Sequence, residues 1–190
     1  TTNGHAITAQ DVVPSPSGMG TIAGEFITAT MQLQGGVPAT LMQHRFPEIS
    51  PIGHFMELHG TDGRIICQSH QNAWLLPQPH YLPDSDHNRW EPLPPVYVDG
   101  FDPEGPANAN EYWYVEEYVR ALDEDRDHES SGAEAVHTLE IMMAIFESGA
   151  YGHPVDLPQI NRDHPLLRLR DEHGLGLPAE MPRPYPEWLA

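Results

Sequence analysis

From Ser131 to Gly152 this 190-residue chain spells a helix that is apolar around most of its circumference. Val136, Leu139, Met143 and Phe146 make one stripe, and Met142 with Ile145 widens it. Such a helix needs cover on several sides, because an apolar arc this wide cannot face water. The rest of the chain must therefore supply a broad surface to bury it. Ser131 with Glu134 three residues later forms a capping box at its start, and Gly149 and Gly152 mark its end. We expect this helix to anchor the domain, with Leu139 among its core residues.

A broad cover is legible upstream as strands. Ile27, Ala29, Met31 and Leu33 alternate with Phe26, Thr28, Thr30 and Gln32, the period of a pleated strand. Gln34-Gly35-Gly36 turns the chain, and alternation resumes from Val37 to Arg45. A second hairpin reads His54 to His59, a Gly60-Thr-Asp-Gly63 turn, then Arg64 to Ser69. Residues 5–13 add a further expected strand. Residues 70–107 carry eight prolines and read as a long ordered loop with short extended pieces at 73–76 and 96–98. An earlier helix starts at Asn108 with Glu111 as box partner, and places Tyr112, Val115, Val119 and Leu122 on one face. After Pro158 five more prolines and no sustained periodicity suggest an extended arm. The expected class is α+β: a mostly antiparallel open sheet, two late helices packed on one face, and a Pro-rich C-terminal arm. The sheet domain spans 1–158 and the arm 159–190.

Charge narrows the function. The chain has 28 acidic residues against 9 basic ones, a net charge of −19, and every base is Arg. That field repels phosphate backbones and anionic membrane surfaces, so we expect neither nucleic acid nor membrane as a partner. No apolar run approaches the roughly 20 residues of a membrane helix. Thr1-Thr-Asn-Gly-His5 has neither the basic head nor the apolar stretch of a signal peptide, and the missing initiator Met suggests a fragment or processed chain. The single cysteine, Cys67, excludes an intrachain disulfide and points to the cytoplasm. In its Arg64-Ile-Ile-Cys-Gln68 strand it reads as a small core residue rather than a nucleophile.

Other chemistry is thin. Twelve histidines invite a metal, yet His54 and His59 fall on opposite strand faces and no H-x-x-x-H occurs on an expected helix, so we expect no metal site. His80 and His87 sit in the Pro-rich loop beside Asp84 and Asp86. Glu116-Glu117 and Asp123 with Asp125 read as a solvated face. No G-x-G-x-x-G follows a strand, so the chain carries no pyrophosphate cradle.

Two segments together resemble a known family. One is the helix end with its following edge, carrying Ala144, Glu147, Ser148, Gly152, Val155, Leu157 and Pro158. The other is Met42-Gln-His-Arg45 followed by Met56-Glu-Leu-His-Gly-Thr-Asp-Gly-Arg-Ile65. Both resemble the C-terminal domain of the glucose–fructose oxidoreductase / inositol 2-dehydrogenase class, Gfo/Idh/MocA. The family's Glu-Lys-Pro lysine is absent, since the chain has no Lys, and its Asp-x-x-x-His motif has no match in residues 1–20.

The resemblance implies the substrate-side and oligomerisation domain of an NAD(P)-dependent oxidoreductase acting on a sugar, cyclitol or related polyol. NAD or NADP would belong to the full-length enzyme; this chain alone is expected to bind none and to be inactive alone. Hydroxyl recognition needs directed polar groups over an apolar floor. His44, Arg45, Trp90 and Tyr112 are the expected substrate-binding residues. The sheet face left open by the helices is the expected surface for self-association. The alternative is a stand-alone, non-enzymatic oligomerisation or carbohydrate-binding module, and a third reading is a metal-dependent lyase or isomerase.

Overall fold

In a computed structural model, described at residues 7–14, 21–23, 26–44, 56–69, 72–79 and 89–178, the chain is α+β with antiparallel ladders. Its contacts divide it into two compact units. One unit joins Thr1–Phe46 to Ser130–Ala190; the other is Pro47–Glu129.

The first unit begins with a short 3-10 turn at Ala9–Asp11, closed by Asp11, whose carboxylate accepts from the backbone and hydroxyl of Thr8 at 2.8 and 2.7 Å. This turn and strand β1, Val12–Pro14, replace the longer strand expected over 5–13. β1 pairs with β2, Thr21–Ala23. The first expected hairpin is present: β3, Phe26–Gln32, pairs with β4, Pro38–His44, through the Gln34–Gly36 turn. The long apolar helix is α2, Gly132–Tyr151, capped by the Ser131 hydroxyl, which accepts from the Glu134 backbone at 3.3 Å. A further helix, α3, occupies Pro165–Glu172 within the arm expected to be extended. Proline at its first position fits helix geometry, since its missing N–H would have had no partner there.

The core of this unit lies where α3 meets the N-terminal strands. Ile7, Ala9, Val12, Ala23, Leu166 and Leu169 are buried together, with Phe146, Ala150 and Tyr151 of α2 packed against them. Gly149 is inside α2 rather than at its end, and Ile7 packs directly on it. A Cβ there would stand 2.8 Å from the Ile7 Cδ1, and Ile7 donates its backbone N–H to the Gly149 carbonyl at 3.3 Å. The stripe expected to anchor the domain is placed otherwise. Val136 and Leu139 are exposed, and the buried positions of α2 are Glu140 and Ala144.

The second unit holds a four-stranded antiparallel sheet in the order β5 (Met56–His59), β6 (Arg64–Ser69), β7 (Asn72–Leu76) and β8 (Glu91–Leu93). β5 to β7 follow the expected hairpin and the 73–76 piece. Residues 96–98 are not a strand, and the last strand among the described residues is β8 instead. Helix α1, Ala109–Asp123, starts at Asn108, whose side chain accepts from the Asn110 backbone at 2.9 Å. The described strands therefore form three sheets rather than one continuous sheet. No helix among the described residues is long and apolar enough to cross a membrane.

Candidate functional site

The four-stranded sheet positions one of the four expected binding residues in a pocket. Pairing sets Ile66 opposite both Glu57 and Trp74, and Trp74 opposite Pro92. Antiparallel partners share a face, so Glu57, Ile66, Trp74 and Pro92 form one row across the sheet. Trp90 precedes β8 and, with Ile66 and Trp74, lines an open depression of about 230 Å³. All three are half-buried.

Along the same face, one step from Ile66 on β6, stands Arg64, and opposite it His59. Arg64 Nη2 lies 3.2 Å from Glu57 Oε1, and its Nε donates to His59 Nδ1 at 3.2 Å. Arg64 Nη2 also lies 3.1 Å from His59 Nδ1 and 3.4 Å from its Nε2, and Nε2 stands 3.4 Å from Glu57 Oε1. The trio is a closed set of one donor fork, one carboxylate and one imidazole beside an aromatic floor.

Of the other expected binding residues, Tyr112 belongs to the same unit as the depression and His44 to the other unit. Tyr112 lies in the first turn of α1, with its ring edge-on to Phe101 at 5.3 Å, and Phe101 stacks on Tyr97 at 5.1 Å. This aromatic set fastens the 97–101 turn to the helix. His44 ends β4 with its backbone opposite Phe26, and Arg45 lies outside the described residues. Sequence reasoning missed Trp74 and Ile66. The available signal was parity: they are the inward-alternate positions of β6 and β7, paired to each other.

A second cluster surrounds the end of α2. Glu147 accepts from Arg168 Nη2 at 3.0 Å and from Gln159 Nε2 at 2.9 Å, one donor on each oxygen. Arg168 Nε donates to the Tyr151 hydroxyl at 2.9 Å, its guanidinium carbon stands 4.5 Å over the Tyr151 ring, and Tyr151 donates to Glu172 at 3.1 Å. Burial pushes the Tyr151 phenol up, and the hydrogen bond with Tyr151 pushes Arg168 up in turn. Glu140 accepts from the Gln159 backbone at 3.2 Å and pairs with Arg162. Both oxygens of Glu147 accept a hydrogen bond within the cluster. The cluster is a clasp holding the 159–172 segment to α2. Gly152 caps α2 in the left-handed region at φ 70°, where other residues pay a steric cost.

The model of the oxidoreductase family's C-terminal α/β domain, GFO_IDH_MocA_C, matches residues 13–157. This chain belongs to the Gfo/Idh/MocA family. Searches of curated proteins and of solved structures found no match to it.

Membership gives the signature residues physical roles. In this Gfo/Idh/MocA domain Ala144 is a buried contact of α2, Glu147 is the acceptor of the clasp, and Gly152 is its left-handed cap. Among the described residues, no helix opens on the glycine-rich turn that the family's usual NAD(P) needs: the positions before the helices are Asn108, Ser131 and His164. A dinucleotide needs glycine backbone N–H groups and a helix N-terminus around its pyrophosphate. Among the described residues no group of three His, Cys, Asp or Glu side chains could hold a metal. Cys67 is a half-buried strand residue opposite Met56 and Ala73. The acidic run after α1 is tied by Arg126, which bonds Glu117 at 2.6 and 3.0 Å and Glu124 at 2.6 Å; the bond from Arg126 holds Glu117 below the usual carboxylate range.

Proposed function

We propose that this chain is the substrate-side and oligomerisation domain of an NAD(P)-dependent oxidoreductase that acts on a sugar, cyclitol or related polyol. The family match over residues 13–157 carries the reading. Nucleotide binding belongs to residues other than these, because the chain lacks a phosphate cradle and its charge of −19 opposes a dinucleotide. Its own contribution is to bind and orient the hydroxylated substrate, with Trp90 as the aromatic support. The lone cysteine supports a cytoplasmic setting.

A second reading, a carbohydrate-binding module that never acts on its ligand, draws on one observation: the aromatic depression of Ile66, Trp74 and Trp90. The coding frame upstream of Thr1 separates the two. The oxidoreductase reading expects a continuous frame with G-x-G-x-x-G, Glu-Lys-Pro and Asp-x-x-x-His. A start codon immediately before Thr1 would contradict it and favour the module.

A further inference from the structure

We infer that Trp74 and Trp90 form a stacking platform for one pyranose ring, with Arg64, Glu57 and His59 as the groups that take its hydroxyls. The inference rests on the sugar and polyol reading above and narrows it to a ring with a flat apolar face.

Three observations lead there. The first is size. At about 230 Å³ the depression is below the ~300–1,000 Å³ of pockets that hold drug-sized ligands, so it fits a single small ring. The second is the wall chemistry. Two half-buried indoles and an isoleucine offer flat, polarisable, apolar surface. The negative face of an indole attracts the slightly positive C–H groups on the axial side of a pyranose, as it attracts ring edges and cations. The third is the neighbouring polar trio on the same sheet face. Glu57 is directly opposite Ile66, and Arg64 is the next same-face position on β6. Cross-strand and same-face neighbours lie about 5–7 Å apart, within reach of one ring's hydroxyls.

Charge selects among ligands. The net charge of −19 repels anions. Glu57 already serves Arg64 at 3.2 Å and faces His59 at 3.4 Å, so no uncompensated carboxylate calls for a cation. A purely apolar guest would desolvate the trio without replacing its water bonds, at a cost. A neutral ring with an apolar face and a hydroxyl edge meets both surfaces. Rings whose hydroxyls are all equatorial expose the most continuous C–H face and should bind best.

The test is titration of the full 190-residue chain with methyl β-glucopyranoside, followed through the indole N–H resonances. Sorbitol is the comparison: it has hydroxyls in plenty and no rigid ring face. The expected result is saturable binding, on the order of millimolar, that shifts the Trp74 and Trp90 signals and leaves that of Trp113 on α1 in place. Trp90→Ala and Trp74→Ala should each weaken it roughly tenfold, while Trp90→Phe, which keeps a flat ring and guards against a folding artefact, should retain most of it. Absence of saturable binding, equal binding of sorbitol, or binding unchanged in both alanine variants would each overturn the platform. No cofactor enters the titration. An enzyme without dehydrogenase activity would leave the platform standing, and a failed titration would leave the oxidoreductase reading standing.

Discussion

Leu139 and Leu166 trade the roles their sequence contexts suggest. Leu139 sits in the long apolar stripe yet is 54% exposed, whereas Leu166, in a Pro-rich arm, is 0% exposed. Leu166→Ala should therefore cost about 2–5 kcal/mol, as truncations in a packed core do. Leu139→Ala in the isolated chain should cost less than about 1 kcal/mol. Chemical denaturation of the two variants checks the order, and a larger loss at Leu139 would contradict this packing. Periodicity reports which positions are apolar; it does not report what covers them. The same limit hid the partners of Glu147. The resemblance marked Glu147, but Arg168 is 21 residues away and no local pattern announces it. His164, which caps α3, gives a pH prediction. Burial holds its imidazole below the ordinary value of 6.5. As pH falls through that region the unfolded chain takes up this proton before the folded one, so stability is full above about 6.5 and declines below it. His164→Asn should flatten that part of the stability–pH curve. A curve unchanged by the substitution would show that His164 is solvated.

Helices α1 and α2 were legible because their caps are sequence-local: Asn108 and Ser131 each accept from a backbone N–H two or three residues on. The hairpins were legible because alternation and glycine turns are local as well. Helix α3 was not. Its eight residues are too few to establish a period, and its initial proline reads as a chain breaker unless it is placed at the first helical position. What fixes α3 is tertiary. Arg170 donates to the carbonyls of Ala9 and Val12 at 3.2 and 3.0 Å, to Leu175 at 3.1 Å and to Gly176 at 2.7 Å. One guanidinium thus ties the N-terminal strand and the segment after α3 together. Arg170→Met should destabilise the chain by about 1–3 kcal/mol, because four carbonyls lose a charged donor. Hydrogen exchange should quicken first at residues 9–14. Arg170→Lys should restore only part of the protection, since an ammonium cannot span the same fork. Uniform exchange in the methionine variant would mean the clamp is not local.

Only nine hydrophobic residues are buried among those described, while whole apolar faces remain open. Helix α1 exposes Tyr114, Val115, Tyr118, Val119 and Leu122, and the β3–β4 hairpin exposes Leu41 and Met42. Faces of that kind are ordinarily surfaces for other chains or domains. A symmetric, sheet-to-sheet dimer or tetramer burying at least ~1,000 Å² is the expected arrangement in solution. Light scattering at tens of micromolar checks it, and a monomer would contradict the oligomerisation role. The central claim, that these residues form the substrate side of a dehydrogenase, is tested most directly by NAD(P)H absorbance. The protein encoded by the whole reading frame is incubated with NAD or NADP and a panel of sugars, cyclitols and polyols. The account predicts reduction of cofactor with at least one of them, lost when residues 13–157 are deleted. A folded, cofactor-binding protein that reduces neither nucleotide with any such substrate, or one that keeps its turnover without those residues, would contradict it.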